Sequence, residues 1–169
     1  MDILFTPWRL SYLTGEGTKG DGCLFCGLPA HGDADALIVH RGTRVYAVLN
    51  RYPYSNGHLM LTPYAHRATL AEMTRDERRE LLDLAALAEE ILTADMSPHG
   101  FNIGLNLGKS AGAGVPGHAH LHVVPRWEGD TNFMTVVGGT RTVPEELGAT
   151  RERLARHFAA RAPRAEGPA

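Results

Sequence analysis

Three histidines stand at every second position in Gly117-His118-Ala119-His120-Leu121-His122-Val123-Val124-Pro125. Along an extended strand successive side chains alternate between faces, so the imidazoles share one face and Ala119, Leu121 and Val123 share the other. The alternation predicts a strand over His118–Val124 whose apolar face packs on a helix. Burying the three rings would require a partner for both nitrogens of each, which argues for use rather than filler. The outer two are separated by about 13 Å of strand, too far for all three to reach one zinc at Zn–N distances of about 2 Å. At most one or two could share a metal. The spacing favours a nucleophile at the middle position, with its neighbours doing other work.

A histidine nucleophile suits phosphorus chemistry. With an unperturbed pKa of about 6.5, much of the imidazole is neutral at pH 7. It can form a phosphoramidate that splits one hard displacement into two easier ones. The glycine-rich stretch Gly108–Gly117 lies just before the histidines, and backbone free of side chains lets amide N–H groups approach phosphate oxygens. That stretch also carries two decoys. Gly108-Lys109-Ser110 resembles the end of a P-loop, but Ile103 occupies the place of the first glycine and no helix can start cleanly in the loop that follows. Gly108-x-Ser110-x-Gly112 spells a nucleophile elbow, with Asp130 and His157 in hydrolase order, yet an elbow needs a helix directly after the serine. A strand is expected there instead.

The only cysteines, Cys23 and Cys26, form a CxxC pair. Metal binding and redox chemistry both use this spacing, but Gly27-Leu28-Pro29 does not suit the helix start of a redox motif. Zinc would need two further ligands, and His31 and His40 are the histidines nearest in sequence.

The elements that must hold these residues can be read coarsely. Residues 13–35 read as loop. Ala36–Arg41 and Thr43–Asn50, broken at Gly42, read as a hairpin, and His58–Thr62 as the next strand. Thr69 with Glu72, and Thr74 with Glu77, both have capping-box spacing. A helix starts near one of them and runs to about Met96 on a Leu81–Leu92 apolar stripe. Phe101–Leu107 reads as a strand, and Glu145–Arg161 as a closing helix. Short hairpin strands with one long crossover helix favour α+β with an antiparallel sheet. The expected organisation is a single domain over residues 1–160 and a disordered tail over 161–169.

At 169 residues, with 43% hydrophobic and 21% charged residues, the chain has ordinary globular composition. Its formal net charge of -2 offers no basic excess for a nucleic-acid binder, so no nucleic-acid partner is expected. No apolar run is long enough to span a bilayer, and no secretory signal opens the sequence. A cytoplasmic protein with no membrane partner is expected.

The motif His118-x-His120-x-His122 followed by two apolar residues resembles the signature of the histidine-triad superfamily of nucleotide hydrolases and transferases. Asn50-Arg51-Tyr52-Pro53, Gly57-His58-Leu59-Met60, Asn106-Leu107-Gly108 and Pro125-Arg126-Trp127 fall in family order. Thr6-Pro7-Trp8-Arg9 and Trp127-Glu128-Gly129-Asp130-Thr131-Asn132-Phe133 look most like the bacterial branch resembling diadenosine tetraphosphate phosphorylases. The resemblance implies a five-stranded antiparallel sheet with one long helix, paired into a homodimer. It implies His120 as the nucleophile and His122 as a contact to the α-phosphate. Asn50 would hold the ribose, and Asn106, Gly112 and Gly114 would lie by the phosphates. Many relatives carry a polar side chain where Ala113 or Gly114 stands here. The implied activity is nucleotidyl transfer on dinucleoside polyphosphates, yielding ATP and ADP if phosphate is the acceptor. A hydrolase, a phosphoramidase or a non-catalytic nucleotide sensor are the alternatives, with Mg²⁺ a candidate companion of the substrate. Zinc-bearing members of the superfamily complete their site with a histidine after the third strand and the first triad histidine, which here match His66 and His118. Zn²⁺ held by Cys23, Cys26, His66 and His118 is therefore the implied metal site.

Overall fold

The computed structural model describes residues 22–130 and 145–162. Five strands form one antiparallel sheet: β1 (Ile38–Arg41), β2 (Val45–Leu49), β3 (Leu59–Pro63), β4 (Gly100–Leu105) and β5 (Leu121–Arg126). Their spatial order is β1-β2-β3-β5-β4. The last strand in sequence therefore inserts between β3 and β4. Two single-turn helices, α1 (Leu24–Gly27) and α2 (Asp33–Ala36), precede the sheet. The long helix α3 (Arg75–Met96) crosses from β3 to β4, and α4 (Leu147–Arg161) closes the described chain. The fold is the expected α+β arrangement.

The β1–β2 hairpin turns at Gly42, where a Cβ would sit 2.6 Å from the Val45 carbonyl and 2.2 Å from the Glu80 carboxylate. Only glycine fits there. The Glu80 carboxylate accepts the Arg44 backbone N–H at 2.9 Å, tying the turn to α3. Of the two capping boxes, the one at Thr74 starts the helix. Thr74 accepts from the Glu77 N–H at 3.2 Å, and the Glu77 carboxylate accepts the Thr74 N–H at 2.6 Å. Thr69 and Glu72 make similar local bonds, but the apolar stripe that would extend a helix begins only at Leu81.

That stripe buries Leu81, Leu84, Ala85, Ala88, Ile91 and Leu92 against β2, β3 and β5. Together with Tyr46, Leu49, Leu59, Leu61, Leu121 and Val123 they form the main core. Helix α4 packs on β1 and α3 through Leu154 and Phe158. Phe158 stacks on His40 at 5.4 Å between ring centroids. Arg153 pairs with Asp95 and Glu145, and His157 meets Asp95 at 3.2 Å. Helix α4 reaches Arg161, the first residue of the expected tail; residues 163–169 lie outside the described residues.

The histidine strand departs from its expected bounds. β5 begins at Leu121, and His118 to His120 form a lead-in outside the ladder that starts on a bend at His118. Its backbone is satisfied off the ladder. His118 N–H donates to the Val115 carbonyl at 3.2 Å, and Ala119 N–H to the Arg67 carbonyl at 2.6 Å. The Thr62 hydroxyl donates to the Ala119 carbonyl at 3.1 Å. At the other end the strand runs on through Pro125 to Arg126, paired with Phe101 and Gly100.

Candidate active site and metal cluster

The hydrogen bonds assign a tautomer to each ring of the site. His120 Nδ1 lies 2.8 Å from the His118 carbonyl. A carbonyl only accepts, so Nδ1 carries the proton and Nε2 keeps a free lone pair. Burial pushes the His120 pKa below its usual value, while the His118 carbonyl works the other way. The ring is thereby kept neutral near pH 7.

His122 is governed from a distance. The Tyr54 backbone N–H donates to His58 Nδ1 at 3.1 Å, so His58 holds its proton on Nε2. That nitrogen lies 2.9 Å from His122 Nδ1. His122 Nδ1 must then accept, which places the proton of that ring on Nε2. His58 is 0% exposed. Burial, followed by the nearby His122 and His120, lowers its pKa to about 3, so the His58 ring stays neutral. The cross-strand register explains the meeting. Met60 pairs with His122, and His58 lies two residues from Met60 on the same face.

A cleft opens over these rings. Sheet order grades its lining from apolar to polar. Toward β1 and β2 it is walled by Leu24, Phe25, Leu28, Ala36, Leu37, Val48 and Leu49, with Met60 between. Toward β5 and the β4–β5 loop stand Asn106, Gly112, Gly114, His120 and His122. Asn50, Arg51, Tyr52 and Tyr54 line it from the segment after β2. Asn50 Oδ1 accepts the Tyr52 N–H at 2.9 Å. Gly112 takes a left-handed backbone, φ 82°, at the end of a three-residue 3-10 turn. An apolar slot beside a polar, imidazole-bearing end matches a base on one side and phosphates on the other.

A second cluster includes His118, two residues before His120. Cys23, Cys26, His66 and His118 bring their ligand atoms within 4.8 Å of one another. His118 Nδ1 is 3.3 Å from Cys23 Sγ and 3.5 Å from Cys26 Sγ, and His66 Nδ1 is 3.3 Å from Cys26 Sγ. Zn–S near 2.3 Å and Zn–N near 2.05 Å give a tetrahedral S···N edge of about 3.6 Å, close to these contacts. His118 Nε2–H donates to the Pro63 carbonyl at 2.9 Å, which frees Nδ1 and sets its direction, the usual outer-shell arrangement of a metal histidine. Burial and the adjacent Cys23 thiol push Cys26 up, a cost that a cation among the thiols would relieve. The four residues fit a metal ion.

A family model described as the HIT domain matches residues 31–129. The chain belongs to this family. An AP-4-A phosphorylase of Mycobacterium tuberculosis is 44% identical over 163 residues, covering 92% of this chain and 84% of that one. Among solved structures, a hypothetical histidine triad nucleotide-binding protein of Sulfolobus tokodaii aligns with TM-score 0.66 at 25% identity, covering 82% of this chain and 93% of its own. A Zn-bound histidine triad family protein of Mycobacterium smegmatis aligns with TM-score 0.64 at 26% identity, covering 82% and 97%.

Within this HIT chain, the structure brings Asn50, Asn106, Gly112, Gly114, His120 and His122 to one cleft. It brings Cys23, Cys26, His66 and His118 to one cluster. His31 and His40 are in neither. The elbow residues are dispersed: Asp130 is bound by Arg126 at 2.6 Å, and His157 by Asp95. Ser110 and Lys109 sit in the 3-10 turn, followed by no longer helix before β5. Trp127 donates its indole N–H to the Met96 carbonyl at 3.3 Å, a packing role at the end of α3. Thr6–Arg9 and Thr131–Phe133 lie outside the described residues. Neither His58 nor Phe25 is marked as a site residue by any spacing in the sequence. Knowledge of the β3–β5 register would have found the first. The second is a large apolar residue set between two metal-ligand candidates.

Proposed function

We propose that this HIT protein transfers a nucleotidyl group from dinucleoside polyphosphates, splitting diadenosine tetraphosphate with phosphate into ATP and ADP. The observation that carries the reading is His120, whose Nδ1–H is spent on the His118 carbonyl while Nε2 is left as a neutral nucleophile in the cleft. Its lone pair attacks the α-phosphorus. An N–P bond forms as the P–O bond breaks, and the electron pair departs on the oxygen of ATP. Phosphate then attacks the same phosphorus, the N–P bond breaks, its electrons return to Nε2, and ADP leaves.

His122, its Nδ1 occupied by His58, donates Nε2–H to an α-phosphoryl oxygen as charge builds there. The adenine enters the apolar slot, Asn50 holds the ribose, and Asn106 with the Gly112–Gly114 backbone takes the phosphates. No carboxylate lines the cleft among the described residues, so any Mg²⁺ would come with the polyphosphate. Zinc would be held by Cys23, Cys26, His66 and His118, where it supplies a cross-link rather than an acid at the reacting atoms. Among the described residues β4 is an edge strand. Ile103 is 43% exposed on it and Leu107, just after it, 37%, which supports pairing of two copies into a homodimer along that edge. The free thiols of Cys23 and Cys26 suit a reducing cytoplasm. No helix of the described residues is long and apolar enough to cross a membrane.

Incubation with diadenosine tetraphosphate and labelled phosphate tests the reaction. Label in ADP is the expected result. Label remaining in phosphate while AMP appears would make the enzyme a hydrolase.

A further inference from the structure

The metal cluster and the nucleotide cleft share a wall. Between Cys23 and Cys26 lie Leu24 and Phe25; Leu24, Phe25 and Leu28 all line the cleft. The Phe25 ring is buried, 4.7 Å from the His120 ring and 5.5 Å from the His118 ring by centroids. One aromatic side chain thus touches the nucleophile, a metal-ligand candidate and the substrate slot together.

The wall has little to hold it by itself. It is a single helical turn, Leu24–Gly27, with no side-chain cap, and one turn is far below the length at which a helix persists alone. It ends on Gly27, and Pro29 follows two residues later. Two ties fix it. The Tyr46 hydroxyl donates to the Phe25 carbonyl at 2.7 Å, and the cysteines at either side reach His66 and His118. Of these, the second depends on a ligand, because two thiols beside two imidazoles make only weak hydrogen bonds until a cation joins them.

We propose that metal ligation at Cys23 and Cys26 holds the Leu24–Leu28 wall closed, with Phe25 as the transmitting side chain, so that mononucleotide affinity follows metal occupancy. The inference rests on reading the cleft as a nucleotide site. Phe25 is then a positioning residue whose effect should disappear when the metal is withdrawn, and the metal's effect should disappear when Phe25 is removed.

The test is AMP binding by calorimetry on the zinc-loaded protein, the chelator-treated protein, Phe25→Ala and Phe25→Leu, with amide hydrogen exchange on each. Loss of one aromatic wall costs roughly 10- to 100-fold in base affinity. Chelation of the wild type should weaken AMP binding by that factor and speed exchange at Leu24–Leu28, with β2 amides unchanged. Phe25→Ala should match it, and chelation should change that variant by no more than about 2-fold, an additivity failure of coupled groups. Phe25→Leu, which keeps an apolar wall and guards against a folding defect, should fall between. Unchanged AMP affinity on chelation overturns the coupling. So do additive effects of chelation and Phe25→Ala, failure to take up zinc, or loss of protection throughout the sheet. Failure of the wild type to bind AMP in any form would instead reject the nucleotide reading itself.

Discussion

Two regions of this molecule use the same side chain for opposite ends. At the Cys/His cluster, His118 gives its Nε2–H to the Pro63 carbonyl and turns a bare Nδ1 toward two thiols. In the cleft two residues on, His120 gives its Nδ1–H to the His118 carbonyl and keeps Nε2 bare, while His122 accepts at Nδ1 and keeps Nε2–H. Three alternating histidines thereby present three different free or occupied nitrogens, as the proposed ligand, nucleophile and donor roles require. The difference lies in which nitrogen the surrounding backbone or His58 occupies, since an imidazole's free nitrogen is decided by its partner's chemistry. Residue type sets what is available; the partner sets what is done.

The deepest break in this comparison is His120→Ala. Turnover of diadenosine tetraphosphate should fall by about 10³-fold or more while AMP binding stays within several-fold, because a nucleophile is lost but the slot remains. Steady-state kinetics with calorimetry reads both. A smaller break is expected from His58→Phe, which leaves His122 Nδ1 without its donor and frees its tautomer. A loss of roughly 10- to 100-fold in kcat with little change in KM is expected, and His58→Gln, which can still donate, should recover part of it. At the other region, Cys26→Ser should lower zinc content below one per chain and reduce Tm, while the kcat defect at saturating substrate stays smaller than that of His58→Phe. Elemental analysis and thermal melts decide this.

His58 also sharpens the contrast through pH. Its folded pKa, about 3, lies below the unfolded value of about 6.5. Between those two values the unfolded chain binds a proton that the folded chain refuses. Stability contributed by the neutral ring is therefore fully present above pH 6.5 and is lost as pH falls through the window, at up to about 1.4 kcal/mol per pH unit. Denaturation at pH 7, 6 and 5 should show this slope, and His58→Phe should flatten it. The smallest effect is a control outside both regions. Thr74→Ala removes the cap of α3 and should cost about 1 kcal/mol without moving zinc content or kcat.

Local chemistry was legible in the chain where the interacting residues are near neighbours. The Thr74–Glu77 box, the Gly42 hairpin and the common placement of His120 and His122 in the cleft each involve residues only a few positions apart. The spare box at Thr69 shows the limit, since capping bonds form there too, and only the reach of the Leu81–Leu92 stripe onto the sheet chooses between them. His58 was illegible for a different reason. Its partner is 64 residues away, reached because β5 inserts beside β3 ahead of β4, and no spacing encodes that order. The ladder start at Leu121 was missed likewise, since the partner of Ala119 N–H is the Arg67 carbonyl in a remote loop. The candidate metal-ligand set is readable through family resemblance and not through the CxxC pair, whose spacing leaves His31 and His40 as rivals.

The most direct measurement is to stop the reaction of diadenosine tetraphosphate without phosphate at neutral pH and find the adenylate by peptide mass spectrometry and phosphorus–nitrogen NMR. Attack by His120 should leave one AMP on that residue, bonded through Nε2. Attachment through Nδ1, attachment to another residue, or turnover with no adenylated protein under any quench would contradict it.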